Sequence, residues 1–250
     1  MENLKEKALD LHKEIQGKIS TELKTKLENK DDLSLVYSPG VAEPCKKIHE
    51  NEDDAYVYTG KANTIAVISD GTAVLGLGNI GPKAALPVME GKACLFKKFG
   101  GLNAVPLVID TTDTEEIIKF VKQVSPTFGG VNLEDISSPR CIEIETRLKE
   151  ELDIPVFHDD QHGTAIVTIA ALINSLKLVN KKPEECNVVI SGVGAAGSSI
   201  VRMLNDFGIN DIYAFNSRGI LREDEKYSKD LYNKLAKETN KENKNLTLEE

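Results

Sequence analysis

At 250 residues with 40% hydrophobic content, the chain is long for one compact domain and sufficient for two α/β cores. A formal net charge of -9 argues against nucleic acid as a partner, because that affinity comes from neutralising phosphates with Lys and Arg. Cys45, Cys94, Cys141 and Cys186 stand far apart with no C-x-x-C pair and no histidine at ligand spacing, which argues against zinc and against a secreted disulfide framework. The opening run MENLKEKALDLHKEI has no apolar h-region, and the apolar stretch 164–176 is too short and interrupted to span a bilayer. A cytoplasmic protein with no membrane partner is expected.

In chain order, Leu4, Ala8, Leu11, Ile15 and Ile19 recur at three- and four-residue steps. They predict an amphipathic helix whose apolar face packs on its own domain or on a second subunit. From Thr64 short β-rich runs alternate with helical ones: TIAVIS, AVLGLG, a helix over about 84–99, VPLVID, a helix over 114–124, GGVNLE, a helix over 139–152, and IPVFHDD. That rhythm predicts an α/β domain with a mostly parallel sheet covered by helices. Residues 164–179 read as a long buried helix, and Lys181-Lys182-Pro183 interrupts the pattern before a strand at 187–191. The boundary is placed near Asp160, giving domains 1–160 and 161–250. The second begins as strand, Gly-rich turn, helix to about Phe207 and strand DIYAFN, and from Leu221 the text is charged, with no further strand. The expectation is a Rossmann-type dinucleotide-binding domain that stops after its first half.

The turn GVGAAG, with Gly192, Gly194, Ala195, Ala196 and Gly197, follows a β-rich run and opens a helix. In that context Gly192 allows a tight turn, Gly194 lets a pyrophosphate approach the backbone, and Gly197 lets helix and strand pack closely. An ordinary Gly-rich β–α connection is the bland alternative. The next strand ends Asn216-Ser217-Arg218 instead of in an acid. Asn216 removes the charge that repels a 2′-phosphate and Arg218 can pair with one, so either NAD or NADP is admissible.

Two acidic pairs, Glu134-Asp135 and Asp159-Asp160, fall where predicted strands end and loops begin. Carboxylates converging at strand ends repel one another unless a cation joins them, and oxygen-only ligands select a hard ion, Mg²⁺ or Mn²⁺. The alternative stays open that Glu134 flanks a helix and the Asp pair caps one starting near Gly163. Lys92 lies in the apolar stretch PVMEGKACLF, where partial burial would tune it towards a base; a lysine snorkelling from a surface helix is the commoner case. Tyr37 precedes the turn Ser-Pro-Gly, which could present its hydroxyl to a cleft. His158 and His162 flank the Asp pair as further ligands, or as core or capping residues.

Taken together, YSPGVAEPC, SDGTAVLGLGNIGPKAALPVMEGKACLFKKFGG, PTFGGVNLEDI, FHDDQHGTAIV and SGVGAAGSS resemble the malic enzymes of the shorter, prokaryotic type, in the same order from about Leu33 to Gly219. The resemblance implies oxidation of L-malate with NAD or NADP, decarboxylation to pyruvate and CO₂, a requirement for Mg²⁺ or Mn²⁺, and a homodimer. It implies Glu134, Asp135 and Asp160 as metal ligands, Lys92 as the base for the C2 hydroxyl, Tyr37 as the acid that protonates the enolpyruvate carbon, and Asp159 as a supporting carboxylate near Lys92. Larger members carry a substrate-binding arginine after the T-D-G segment, where this chain reads Thr72-Ala73-Val74; the residue pairing with the malate carboxylate is thus unidentified, with Arg140, near the metal motif, a candidate. Family members also continue past TLEE, so the expectation is a fragment or a shortened paralogue. A malolactic outcome and a non-catalytic remnant are the alternatives.

Overall fold

A computed structural model gives the fold and describes residues 2–74 and 76–249. The chain divides into two compact units that interleave along the sequence. One comprises Met1–Asn132 with Leu148–Val156, the other Leu133–Arg147 with Phe157–Glu250.

In the first unit α1 (Glu2–Ile15) ends before Ile19. Its apolar residues are not covered by the rest of the chain: Leu4, Leu11 and Ile15 are exposed. Helix α2 (Lys30–Val36) starts on Asn29, whose side chain accepts from the N–H groups of Asp31 and Asp32, with those acids in the first turn. Neither it nor α3 (Ala42–Glu50) or α4 (Ala55–Tyr58) has a buried side chain. The core begins at β1 (Thr64–Ser69), which pairs in parallel with β2 (Asn103–Val108) over its whole length. Between them α5 (Pro82–Gly100) packs along both strands and buries Ala85, Met89 and Ala93. Helix α6 (Thr114–Val124) is capped by Asp113, which accepts from Glu116 N–H, and buries Ile117, Ile118 and Val121. Then follow β3 (Gly130–Leu133), α7 (Arg140–Glu151) and β4 (Val156–His158), in a four-stranded sheet ordered β2-β1-β3-β4.

The run AVLGLG is not a strand. Leu75 lies outside the described residues, and on either side of it Val74 and Gly78 form an isolated bridge. Gly71, Gly76 and Gly78 all have positive φ, so glycine at these positions turns the chain instead of extending it.

The second unit contains α8 (Asp159–Val179), β5 (Asn187–Ser191), α9 (Ala195–Phe207), β6 (Asp211–Asn216), β7 (Gly219–Ile220) and α10 (Asp230–Glu238). Strands β5 and β6 are parallel, as the dinucleotide-fold reading expects, and β7 turns back antiparallel on β6 through a hairpin. One expectation fails here. The helix read as buried starts earlier, at Asp159, and only Gln161, Ala165, Ile169 and Leu176 are buried in it, while Ile166, Val167, Leu178 and Val179 are exposed. The buried residues are four and seven apart and so form one stripe, and α8 packs on α9. The charged tail has no strand among the described residues, as expected, and α10 within it buries Leu231, Leu235 and Ala236 in one cluster with Val201, Leu204, Ile212 and Leu221. By length and composition α8 is the one helix among the described residues able to cross a membrane.

Candidate metal centre and dinucleotide turn

Strands β3 and β4 are neighbours in the sheet, so the residues that follow them emerge side by side. Glu134 and Asp135 follow β3 directly, and α8 begins directly after β4 with Asp159 and Asp160 in its first turn. The Asp pair therefore stands at a helix start, where unbonded N–H groups favour negative charge, and not in the loop expected from sequence. One carboxylate oxygen each from Glu134, Asp135 and Asp160 lies within 4.8 Å of the others. Glu134 and Asp135 are buried, and the Asp160 side chain keeps 38% of its surface exposed. Asp135 has φ +54° and donates its N–H to Asp160 Oδ2 at 2.9 Å. That left-handed turn is one an aspartate tolerates better than most residues, and here it folds the second acid back onto the third. Three carboxylates, two of them buried, form an oxygen-only donor set whose mutual repulsion a hard divalent cation offsets; the residues fit Mg²⁺ or Mn²⁺.

Behind the acids, His158 is fully buried and its Nε2 lies 3.6 Å from Asp160 Oδ2. Burial lowers its pKa, against the pull of the Asp160 charge. It is a core histidine, one of the two readings the sequence left open. Cys141 is buried as well, and burial, with the Asp160 charge adding to it, pushes its thiol up to about 12. Arg140 donates from Nη2 to Ser137 Oγ at 3.1 Å. Asp159 lies against Gly163: a Cβ there would sit 2.6 Å from Asp159 Oδ1, so glycine at that position makes room for the carboxylate.

Sequence reasoning missed Glu145 and Ser199. Glu145 is buried, with Oε1 accepting the His158 N–H at 3.1 Å and Oε2 2.7 Å from His162 Nε2. Ser199 Oγ lies 3.2 Å from His162 Nδ1. The signal for Glu145 was present: it stands four residues after Cys141 and three before Leu148, both fully buried, and so on the inner face of α7.

Tyr37 and Lys92 belong to the first unit. Tyr37 ends α2, donating its N–H to Leu33 O at 3.0 Å and accepting from Val41 N at 2.8 Å, with its side chain 69% exposed. The following turn needs its glycine, since a Cβ on Gly40 would fall 2.5 Å from Ser34 O. Lys92 is half-buried on α5, beside the buried Ala93.

The Gly-rich turn joins β5 to α9. Gly192 has φ +104° and donates its N–H to Phe215 O at 2.9 Å, tying the turn to β6. A Cβ on Gly197 would lie 2.0 Å from Gly192 O, whereas one on Gly194 would meet nothing within 4 Å. Ala195 and Ala196 open α9. Asn216 Oδ1 accepts the Arg218 N–H at 2.7 Å, so both flank the exposed tip of the β6–β7 hairpin.

The family model for the malic enzyme N-terminal domain matches residues 16–116 and 111–149. The bifunctional malic/malolactic enzyme of Bacillus subtilis is 54% identical over 249 residues, which is 99% of this chain and 61% of that protein. The NADP-dependent malic enzyme of Haemophilus influenzae is 49% identical, across 88% of this chain and 30% of its own length. The crystal structure of the NAD-dependent malic enzyme of Thermotoga maritima superposes with a TM-score of 0.94 at 49% identity, covering 97% of this chain and 65% of that one. The chain thus spans less than two thirds of each of these relatives.

Proposed function

The chain belongs to the malic enzyme family, and from that premise we propose that it oxidises and decarboxylates L-malate to pyruvate and CO₂, with reduction of NAD or NADP and with Mg²⁺ or Mn²⁺. The observation that carries the reading is the convergence of Glu134, Asp135 and Asp160 within 4.8 Å. A divalent cation held by these three would supply Lewis-acid stabilisation of negative charge developing on substrate oxygen, and the nicotinamide would supply the hydride acceptor. Lys92 takes the proton of the C2 hydroxyl as the carbinol is oxidised, and Tyr37 later gives a proton to the enolpyruvate carbon. Asp159 is assigned as the supporting carboxylate. The backbone of Gly192–Gly197 and the start of α9 hold the pyrophosphate, with Asn216 and Arg218 near the ribose.

The test is malate-dependent NAD(P)H formation with Mn²⁺. Lys92→Ala should nearly abolish it, and Tyr37→Phe should impair pyruvate formation while sparing partial reactions on oxaloacetate. Full activity in both variants overturns these roles. The name of the Bacillus subtilis relative favours a second reading, in which the same machinery yields lactate and retains NAD; product analysis separates the two. A chain that binds neither Mn²⁺ nor dinucleotide is instead a non-catalytic remnant.

The exposed apolar residues of α1 to α4, among them Leu4, Leu35 and Val57, support a homodimer, since uncovered apolar surface of this kind favours association. Sedimentation velocity showing only monomer at micromolar concentration would refute the dimer.

A further inference from the structure

The Glu145 carboxylate can only accept hydrogen bonds, so His162 Nε2, 2.7 Å away, carries the hydrogen. Nδ1 is then left to accept the Ser199 hydroxyl across 3.2 Å. The ring is also held against Phe157, with centroids 5.6 Å apart. The neighbouring Ser198 turns its hydroxyl back into its own helix, onto Ala195 O at 2.9 Å, whereas Ser199 spends its hydroxyl on α8. The order Ser–His–carboxylate is that of hydrolase triads, but Ser199 is buried within α9 and has no room for a substrate carbonyl.

What the three residues join is more informative. His162 lies two residues after Asp160, in the same first stretch of α8, and Ser199 lies two residues after Gly197, at the start of α9. Glu145 grips this stretch of chain twice, at the His158 N–H and at the His162 ring. On the functional reading given above, we propose that Glu145–His162–Ser199 is a positioning strut that couples cation binding at Glu134, Asp135 and Asp160 to dinucleotide binding at the Gly192–Gly197 turn. A cation that draws Asp160 towards Asp135 fixes the first turn of α8, and with it the direction of the His162 ring. The ring fixes Ser199, and so the turn that receives the pyrophosphate. Linkage makes the effect reciprocal: the dinucleotide tightens the cation by the same factor.

The experiment is calorimetric titration of the full chain with NADH or NADPH, with and without saturating Mn²⁺. Wild type should bind dinucleotide at least about 5-fold more tightly with Mn²⁺, the low end of ordinary coupling between sites. Ser199→Ala removes only the hydroxyl that meets His162, leaves the three acids and the Gly192–Gly197 turn unchanged in sequence, and should bring that ratio to about one, with circular dichroism unchanged, while Ser199→Thr keeps the hydroxyl and should restore it. His162→Phe keeps a ring against Phe157 and removes both nitrogens that meet Glu145 and Ser199; it should behave as Ser199→Ala does and serves if that variant folds poorly. Wild type that fails to bind Mn²⁺ or dinucleotide overturns the proposed function and the coupling with it. Wild type that binds both with a ratio near one, or a Ser199→Ala ratio equal to wild type, overturns the strut alone.

Discussion

The glycines of the Gly192–Gly197 turn divide into one needed by the fold and one that, on the proposed function, is needed by the ligand, and two substitutions separate them. In Gly197→Ala the new methyl would start 2.0 Å from Gly192 O and 3.0 Å from Gly192 C. Ordinary contact begins near 3.5 Å, so turn and helix must separate by more than an ångström. The turn cannot retreat freely: Gly192 N–H is bonded to Phe215 O at 2.9 Å, and Val193 beside it is buried. Overpacking costs about 1–3 kcal/mol, and a clash of backbone against backbone belongs at the upper end. With a urea slope of about 2 kcal/mol/M, a loss of about 3 kcal/mol lowers the unfolding midpoint by about 1.5 M. Gly194→Ala is the control, because its methyl meets nothing within 4 Å. That midpoint should stay within about 0.3 M of wild type, yet NADH affinity should fall, since the methyl occupies the approach of the pyrophosphate. Urea melts and NADH titrations of both variants decide the matter. An unchanged midpoint for Gly197→Ala, or a larger loss for Gly194→Ala, refutes the argument.

Three further outcomes follow from the same structure. Asp160→Asn keeps the shape of the third acid of the proposed metal site and removes its charge; Mn²⁺ at a hundredfold excess over its Kd should stabilise wild type by about 2.7 kcal/mol and the variant hardly at all in thermal melts. Leu235→Ala empties a fully buried site in α10 and should cost about 2–5 kcal/mol in urea, with the proposed metal site's Mn²⁺ affinity retained. Cys141, whose thiol sits at about 12 in the fold, should resist alkylation in native protein near pH 8.5 while exposed Cys45 reacts. The unfolded thiol ionises near its ordinary 9.0 and the folded one does not until about 12. The unfolded state therefore binds fewer protons between those values, and stability should fall there by up to about 1.4 kcal/mol per pH unit. A Cys141→Ala variant with the same slope would refute that assignment.

Local signals were legible where one element carried them whole. Helix α6 runs over the expected residues because Asp113 caps it and Ile117, Ile118 and Val121 form its stripe. The acids at the end of β3 were visible as a strand terminus, but the preference for Asp160 over Asp159 came from the family resemblance, since adjacent identical residues differ only in the direction helix geometry gives them. Helix α10 was hidden because Leu231, Leu235 and Ala236 are diluted by Lys and Asn on the outer face. AVLGLG looks extended by its apolar residues, yet glycines with positive φ turn it. The bonds among Glu145, His162 and Ser199 join three helices, and no window of sequence holds all three.

The first turns of α8 leave no slack for a change in length. Asp159 needs the missing side chain of Gly163, Asp160 meets Asp135, Gln161 is buried, and His162 reaches Glu145 and Ser199. Each added or deleted residue turns everything beyond it by about 100° around the helix axis. One inserted codon at this point would withdraw several contacts together, whereas the exposed loop at Glu225 and Lys226, between β7 and α10, is the place to graft a label or an affinity tag.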